Sequence, residues 1–237
     1  MSVSTEQSRK DSVARRDSHP LHPNSSAYPG LLEVSDSNGL PFYTLNHVPV
    51  LPQAKRPVFQ SLKRALDILI AGAALLLLSP LFALIILAIR LTSPGPAIFT
   101  QLRYGRNGVP FSILKFRSMY ADRGDITGVC QTVPDDPRIT PIGARLRHGS
   151  LDELPQIINV LRGDMSLIGP RPHAIGMLAA GRRYEELVPY YALRHAVRPG
   201  ISGWAQANGL RGPTTDPETA KARIDHDIAY IQNQSLG

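Results

Sequence analysis

The sequence predicts an α/β protein, in which a small domain of helices and strands follows an apolar, membrane-associated helix. Residues 68–89 form a run without a single charged side chain. Residues 111–117 alternate in the period of two that is typical of a strand. Apolar residues recur at helical spacing after Pro155 and again after Asp216. Together these patterns indicate one anchored domain of mixed helix and strand.

The uncharged run of 22 residues is long enough to cross a bilayer as a helix. Ser79-Pro80 lies near its middle, where proline removes a backbone hydrogen bond. Cytoplasmic flanks of membrane helices carry an excess of Lys and Arg, and here both flanks are basic. The pattern therefore favours a re-entrant helix, broken at Ser79 and Pro80, that returns to the face it came from. A kinked full span and a buried core helix remain alternatives.

The chain divides into three parts. Residues 1–57 are rich in Ser, Pro, His and Asn and predict a mostly disordered tail, and no cleavable signal peptide is expected within the first 30 residues. Residues 58–92 hold the membrane helix, and residues 93–237 form a cytosolic domain.

Within this domain the spacing predicts one strand and three helices. The strand covers residues 111–117. The helices run from Pro155 to about Gly163, over residues 174–187, and from Asp216-Pro217 onwards, where an N-cap precedes proline at the first helical position. The last of these helices is amphipathic, with one apolar face made of Ala220, Ile224, Ile228 and Ile231.

The charge distribution calls for an anionic partner. The net charge is +7, and residues 55–149 carry thirteen basic and five acidic side chains. Nucleic acid, anionic lipid headgroups and phosphorylated substrates would all satisfy this excess. Nucleic acid does not account for an uncharged run of 22 residues, so we expect no nucleic-acid partner. A single cysteine, Cys130, excludes an internal disulfide and a Cys-based zinc site.

Two adjacent carboxylates, Asp152 and Glu153, lie in a segment crowded by arginine. Such a pair can share a site with a divalent metal and a nucleotide diphosphate, with one carboxylate acting as ligand or nucleophile. Ser150-Leu-Asp-Glu153 also fits a capping box, so a plain helix start is the alternative. Pro155 weakens that alternative, because it would be the fifth residue of a helix capped by Ser150.

The remaining candidate residues are mostly cationic. Lys115 and Arg117 share a strand face and could clamp a phosphate, although a solvated strand face is the favoured interpretation of the pattern alone. Pro170 and Pro172 restrict the backbone on either side of Arg171, which indicates either an anion site or a structural turn. Asp135-Asp136 could hold a metal, but a turn is the favoured interpretation. None of the seven histidines shows ligand spacing.

Taken together, residues 60–235 resemble the bacterial sugar transferase family, the monotopic polyprenyl-phosphate phosphoglycosyl transferases. The segment 194–209 is most similar to members that start exopolysaccharide repeats by transferring glucose 1-phosphate. One departure is Gln234, where many members have tryptophan. The motifs that carry the resemblance are Lys63-Arg-x-x-Asp67, Ser79-Pro80, Gln101-x-Arg-x-Gly-x-x-Gly108, Lys115-Phe-Arg-Ser-Met119, Asp136-Pro-Arg-Ile-Thr140, Ser150-Leu-Asp-Glu-Leu-Pro-Gln156, Arg162-Gly-Asp-Met-Ser166, Gly169-Pro-Arg-Pro172 and Arg198-Pro-Gly200.

The resemblance implies a transferase at the cytoplasmic face of the bacterial inner membrane. It would move a sugar 1-phosphate from a UDP-sugar to undecaprenyl phosphate and release UMP. The enzyme would work among membrane lipids, and a homo-oligomer is compatible with the resemblance. Asp152 would be the nucleophile and a ligand of Mg²⁺, with Glu153 as its partner. The substrate-binding residues that it implies are Lys115, Arg117, Arg147, Pro170, Arg171 and Pro172. A non-catalytic membrane adaptor in polysaccharide assembly is the alternative.

Overall fold

The computed structural model describes residues 57–122 and 136–234, together with three short strands nearer the N-terminus. Helix α1 (Pro57–Thr92) contains 36 residues and continues through Pro80. Proline cannot donate to the Leu76 carbonyl one turn earlier, but the Ser79 hydroxyl donates to that oxygen at 2.8 Å. The predicted break at Ser79 and Pro80 is therefore not confirmed, because serine supplies the hydrogen bond that proline removes.

Helix α1 buries one face and exposes the other. Ala71, Ile85 and Ile89 are buried against the domain, whereas Leu76 and Leu77 on the opposite side are more than three-quarters exposed. Among the described residues, α1 is the one helix long and apolar enough to cross a membrane, and most of its apolar window is not buried. These exposures exclude the buried core helix that the sequence left open.

An antiparallel hairpin follows α1. Its strands are β4 (Ile98–Tyr104) and β5 (Pro110–Phe116), joined by a 3₁₀ turn at Arg106–Gly108. The register pairs Ile98 with Phe116 and Tyr104 with Pro110. The predicted strand at residues 111–117 is thus confirmed, except that Arg117 lies just beyond its end.

The segment that carries the two carboxylates lies between two short helices. Helix α2 (Pro141–His148) is capped by Thr140, whose hydroxyl accepts from the Gly143 backbone N–H at 3.0 Å. A 3₁₀ turn at Leu151–Glu153 then leads into α3 (Gln156–Arg162). Gly163 ends α3 with a φ of 95°, in the left-handed region that favours glycine. The predicted helix from Pro155 to Gly163 is confirmed.

The predicted helix at residues 174–187 is wrong over most of its length. Strands β7 (Leu178–Ala179) and β8 (Arg182–Arg183) form a small hairpin there, and only α4 (Tyr184–Leu187) is helical. Glycines at 176 and 181 have φ of 74° and 77°, and these left-handed conformations interrupt a helix.

The rest of the domain completes the core. Strands β6 (Ser166–Ile168) and β9 (Gly200–Ser202) pair in parallel, and α5 (Trp204–Ala207) follows β9. Helix α6 (Pro217–Asn233) begins as predicted, with the Asp216 carboxylate accepting from the Thr219 N–H at 2.7 Å. Its predicted apolar face packs into one hydrophobic cluster with Tyr184, Val188 and Tyr191. Two further clusters lie between α1 and the hairpin, α2 and α3.

Part of the range predicted to be disordered forms strands. A three-stranded antiparallel sheet forms there in the order β1-β2-β3. Its strands are β1 (Leu31–Ser35), β2 (Pro41–Leu45) and β3 (Val48–Pro49). Pro41 is the first residue of its strand and Pro49 lies on an edge strand, positions where a missing N–H is tolerated. The prolines at these two positions are therefore compatible with strand pairing.

Candidate active site

The two adjacent carboxylates lie on the 3₁₀ turn that links α2 to α3. Ser150, just before the turn, has a left-handed backbone (φ 54°), and its side chain makes no capping hydrogen bond. The capping-box interpretation is therefore wrong. The turn instead presents Asp152 and Glu153 to cationic side chains from β5 and from the loop after β6.

Glu153 is held by two cations. Lys115 from β5 donates to its Oε1 at 2.8 Å, and Arg171 donates to its Oε2 at 3.0 Å. A second Arg171 nitrogen bonds Oε1, so the guanidinium grips the carboxylate at both oxygens. Burial alone would raise the pKa of Glu153, but the Lys115 and Arg171 charges outweigh burial and hold that pKa well below its usual range. Glu153 is therefore a fixed, ionised carboxylate.

Asp152 has a different environment. It is 7% exposed, and no side chain in residues 57–122 and 136–234 forms a hydrogen bond or ion pair with its carboxylate. Burial raises the pKa of Asp152, the neighbouring Glu153 adds to the rise, and the charges of Lys115 and Arg147 oppose it. The two neighbouring carboxylates are thus shifted in opposite directions, a pattern that separates the roles of paired acids in active sites.

A buried asparagine holds α3 against β5. Asn159 is fully buried, its Oδ1 accepts from the Leu114 backbone N–H at 2.9 Å, and its Nδ2 donates to the Ser112 carbonyl at 2.8 Å. These bonds satisfy backbone groups on the edge of β5 immediately before Lys115. Sequence analysis missed Asn159, whose only signal is an amide among the apolar residues of a short helix.

The loop of residues 169–172 is fixed through its backbone carbonyls. Pro170 O accepts from the Gly200 N–H at 2.9 Å, Arg171 O accepts from Arg194 at 2.6 Å, and Pro172 O accepts from Arg103 at 3.4 Å. The loop also approaches β9 closely: a Cβ on Gly200 would lie 2.1 Å from the nitrogen of Gly169. The Arg171 guanidinium is therefore presented to Glu153 from a rigid backbone.

Behind this loop lies a buried ion pair that the sequence analysis did not identify. Arg194 donates to the Asp227 carboxylate at 2.9 and 2.6 Å, and both side chains are 2% exposed. Asp227 belongs to α6, so this pair links the last helix to Arg171. The two residues are 33 positions apart, and no local pattern joins them.

The predicted cations divide into two groups. Lys115 and Arg171 contact Glu153, and Arg147 lies near enough to Asp152 to lower its pKa while its Nε donates to the Ser118 hydroxyl at 2.8 Å. Arg117 instead is 5% exposed and donates to the carbonyls of Ser93 and Pro94 at 2.7 and 2.6 Å. These contacts tie it to the end of α1 rather than to the carboxylates.

The second candidate metal site is a turn. The Asp136 carboxylate accepts from the Arg138 backbone N–H at 3.0 Å and pairs with the Arg138 guanidinium at 2.6 Å. Asp135 lies outside the described residues. Within the described ranges, no group of three or more His, Cys, Asp or Glu side chains is arranged to hold a metal.

Comparison with known proteins identifies a family over most of the chain. Residues 58–237 match the family model for bacterial sugar transferases. The exopolysaccharide production protein PSS of Rhizobium leguminosarum bv. phaseoli is 55% identical over 175 residues, which cover 74% of this chain and 88% of that protein.

Two other relatives are named for particular sugars. The UDP-glucose:undecaprenyl-phosphate glucose-1-phosphate transferase of Escherichia coli (strain K12) is 49% identical, covering 81% of this chain. The UDP-N-acetylgalactosamine-undecaprenyl-phosphate N-acetylgalactosaminephosphotransferase of Aeromonas hydrophila is 43% identical, covering 76% of this chain. In each case the match spans 41% of the relative's own length. The family match and these identities establish that the chain belongs to the bacterial sugar transferase family.

Proposed function

We propose that this protein transfers a sugar 1-phosphate from a UDP-sugar to undecaprenyl phosphate, as the first step of exopolysaccharide or related glycan synthesis. The observation that carries the proposal is the difference between the two carboxylates. Glu153 is locked by Lys115 and Arg171, whereas Asp152 is buried and has no side-chain partner among the described residues. The relatives named as undecaprenyl-phosphate sugar phosphotransferases support the same reaction class.

In the first step, a carboxylate oxygen of Asp152 attacks the β-phosphorus of the UDP-sugar. A bond forms between that oxygen and phosphorus, and the bond from the β-phosphorus to the bridging oxygen breaks. UMP leaves with the bridging oxygen, and the phosphosugar stays on Asp152 as an aspartyl intermediate. Asp152 suits this role because burial removes water from its carboxylate, and because no ion pair occupies its oxygens.

In the second step, a phosphate oxygen of undecaprenyl phosphate attacks the same phosphorus and the bond to Asp152 breaks. The product is a lipid-linked sugar diphosphate, and the carboxylate is regenerated. Lys115 and Arg171 remain beside the reacting group throughout. Glu153 balances one of their two positive charges, so the site offers oriented N–H donors and one net positive charge to phosphate.

Magnesium fits this site only as a partner of the substrate. Asp152 supplies one available carboxylate, while Glu153 is saturated by two cations. One carboxylate combined with substrate phosphates and water is a usual ligand set for Mg²⁺. Mg²⁺ bound there would neutralise diphosphate charge as it develops on the leaving UMP.

We propose that α1 lies in the inner membrane with both of its ends on the cytoplasmic side, where the active site also lies. Asp67 near the start of α1 accepts from the Ser166 hydroxyl at 2.7 Å and the Leu167 N–H at 3.1 Å. Arg117 holds Ser93, just beyond the other end. Since one domain binds both ends of the helix, both ends belong on one side of the bilayer.

Cysteine labelling tests this topology. Cys130 is first replaced by serine, and single cysteines are placed at positions 56 and 92. We expect a membrane-impermeant maleimide added from the periplasmic side to label neither position, and both to react after the membrane is permeabilised. Labelling of one position from the periplasm would establish a full span instead.

The reaction itself is tested with radiolabelled UDP-sugars and undecaprenyl phosphate in detergent or nanodiscs. We expect release of UMP and label in the lipid phase, with UDP-glucose as the first donor to test and UDP-N-acetylgalactosamine as the second. Mixing the enzyme with donor alone should give a stoichiometric burst of UMP and label bound to protein. If the protein releases UMP from no UDP-sugar in a broad panel, the result would favour a non-catalytic membrane adaptor.

A further inference from the structure

A second charged site lies apart from the carboxylates, in an open cleft beside the N-terminal part of α1. Its walls come from α1, the turn between β4 and β5, β6, the segment before β9 and the C-terminal end of α6. Four of its lining residues are basic and one is acidic, namely Lys63, Arg64, Arg106, Arg198 and Asp67. The cleft is therefore strongly cationic.

The single carboxylate does not neutralise this group. Asp67 already accepts from the Ser166 hydroxyl at 2.7 Å and the Leu167 N–H at 3.1 Å, and Lys63 lies 3.4 Å from its Oδ2. The two terminal nitrogens of Arg64 donate to the carbonyls at the end of α3, at 2.7 and 3.2 Å. These bonds position the side chains but leave the positive charge in place.

Two guanidinium groups keep donors available. Arg198 uses its Nε to donate to the Gly163 carbonyl at 2.8 Å, and its terminal nitrogens have no partner in the described part of the chain. Arg106 is exposed and likewise has no partner there. The pKa of Arg198 is lowered by burial and by repulsion from Arg64 and Arg106, so these cations face one another. Such an arrangement is stabilised by an anion between them.

Helix α1 is amphipathic beside the cleft. Lys63, Arg64 and Asp67 line the cleft, whereas Leu62 and Leu69, which are 48% and 68% exposed, lie on the other side of α1 by the spacing of about 100° per residue. A helix whose apolar side is buried at the membrane surface holds its polar side at the depth of the lipid headgroups. The cleft therefore lies at the depth of the phospholipid phosphates.

The cleft does not share its walls with the catalytic site. None of Asp152, Glu153, Lys115 and Arg171 lines it. A phosphate bound there does not touch the carboxylates, so it is not positioned to react.

We infer that this cleft is a non-catalytic anion site that holds the phosphate of an anionic bilayer phospholipid. Arg106 and Arg198 supply the donors, and the exposed leucines of α1 lie beside the acyl chains. The inference rests on the proposed membrane seat of α1, but it requires no transferase activity. The bound headgroup would fix the depth at which the catalytic site meets the membrane.

Short-chain lipids test the inference directly. The full-length protein in uncharged detergent is titrated with dihexanoyl phosphatidylglycerol or with zwitterionic dihexanoyl phosphatidylcholine, and binding is followed by the shift in melting temperature. We expect saturable stabilisation by the anionic lipid only. The double variant R106Q/R198Q should weaken binding by at least about tenfold, because two charge-assisted donors are lost.

Two further variants make the comparison specific. Lys221→Gln removes the same charge from an exposed position on α6 and should leave phosphatidylglycerol binding within about twofold of the parent, as expected for a distant exposed charge. The single variant Arg106→Glu changes only an exposed residue and should also weaken lipid binding. It is the control for any misfolding that the replacement of Arg198 causes in the double variant.

Several outcomes would overturn the inference. Equal binding of the two lipids would remove the anion requirement, and unchanged affinity in both arginine variants would place the lipid elsewhere. Displacement by inorganic phosphate at equal concentration would assign the cleft to a soluble anion. A raised KM for undecaprenyl phosphate in R106Q/R198Q, measured in bilayers of phosphatidylcholine alone, would make it an acceptor site. Failure of the proposed reaction would show separately, as no UMP release by the parent protein.

Discussion

The active site and the basic cleft are made of similar side chains that are paired in different ways. Around the carboxylates, Lys115 and Arg171 share Glu153, and the group left without a partner is an anion, Asp152. In the cleft, the one carboxylate is already bonded and the groups left with free donors are cations, Arg106 and Arg198. A count of charges alone would not distinguish the two regions.

The difference shows how pairing determines chemistry. A carboxylate that is desolvated but unpaired can attack phosphorus, because its oxygens need not be released from another contact. A cation that is fixed but unpaired can hold an anion without reacting with it. This difference is why we propose transfer at the first region and anion binding at the second.

Removing the unpaired carboxylate should have the largest effect on activity. Asp152→Asn keeps the shape of the side chain but abolishes its nucleophilicity, so we expect turnover to fall by at least about a thousandfold while the protein folds and inserts. The burst of UMP with donor alone should disappear. Near-normal UMP release would refute covalent catalysis at this residue.

Glu153→Gln provides the matched comparison. It should also be severe, but for another reason: Lys115 and Arg171 would lose their shared counter-charge and the arginine clamp would loosen. We therefore expect a reduced but measurable burst, together with a higher KM for the donor. If both variants gave identical kinetics, the separate roles assigned to the two carboxylates would be wrong.

Chelation should have the next largest effect. The donor brings a diphosphate to a site where Asp152 is still uncompensated, and their repulsion is strong in a partly dehydrated pocket. We expect EDTA to stop UMP release, excess Mg²⁺ to restore it and Mn²⁺ to restore part of it. Full activity in thoroughly chelated buffer would mean that Arg147, Arg171 and Lys115 neutralise the diphosphate without a metal ion.

How much of this could be predicted from the sequence depends on the range of the interaction. Helix α6 was predictable because its cap, its first-turn proline and its apolar face are local signals. The 174–187 segment was not, because two left-handed glycines interrupt a composition that otherwise favours helix. Arg117 shares a strand face with Lys115 in the sequence pattern, but β5 ends at Phe116 and the chain carries the guanidinium to the end of α1.

The active site shows the same limit. Asp152, Glu153, Lys115 and Arg171 could be identified from their motifs, whereas their partners could not. Which carboxylate is locked depends on side-chain geometry that only the fold supplies. The Arg194–Asp227 pair and the basic cleft both join distant segments, and neither leaves a local signature.

Breaking the buried pair behind the Arg171 loop should have a smaller effect on activity and a clear effect on stability. Asp227→Asn leaves the Arg194 charge buried without a counter-ion, which typically costs about 3–5 kcal/mol. Glu186→Gln is the control, since it removes a carboxylate from an exposed pair with Arg182 and should cost less than about 1 kcal/mol. Melting temperature and kcat/KM report the two effects.

A double replacement separates stability from positioning. R194M/D227L exchanges the pair for apolar side chains and should recover much of the lost stability. It cannot restore the hydrogen bond from Arg194 to the Arg171 carbonyl, so we expect kcat to stay low. Recovery of both stability and kcat would mean that the pair supports the fold without orienting Arg171.

The smallest expected effect is a shift in the pH profile. Asp152 must be ionised to attack, and its pKa is raised, so the rate should fall as pH drops through a value above that of a free aspartate, about 3.9. The pKa of Glu153 is held well below its usual range. Glu153 therefore stays ionised in this pH range and does not contribute to the fall in rate at acid pH. Because Arg147 lowers the pKa of Asp152, Arg147→Gln should move the acid limb of kcat to higher pH. Arg145→Gln, an exposed position on the same helix, should leave it in place. A limb that moves equally in both variants, or in neither, would show that another group limits the rate in acid.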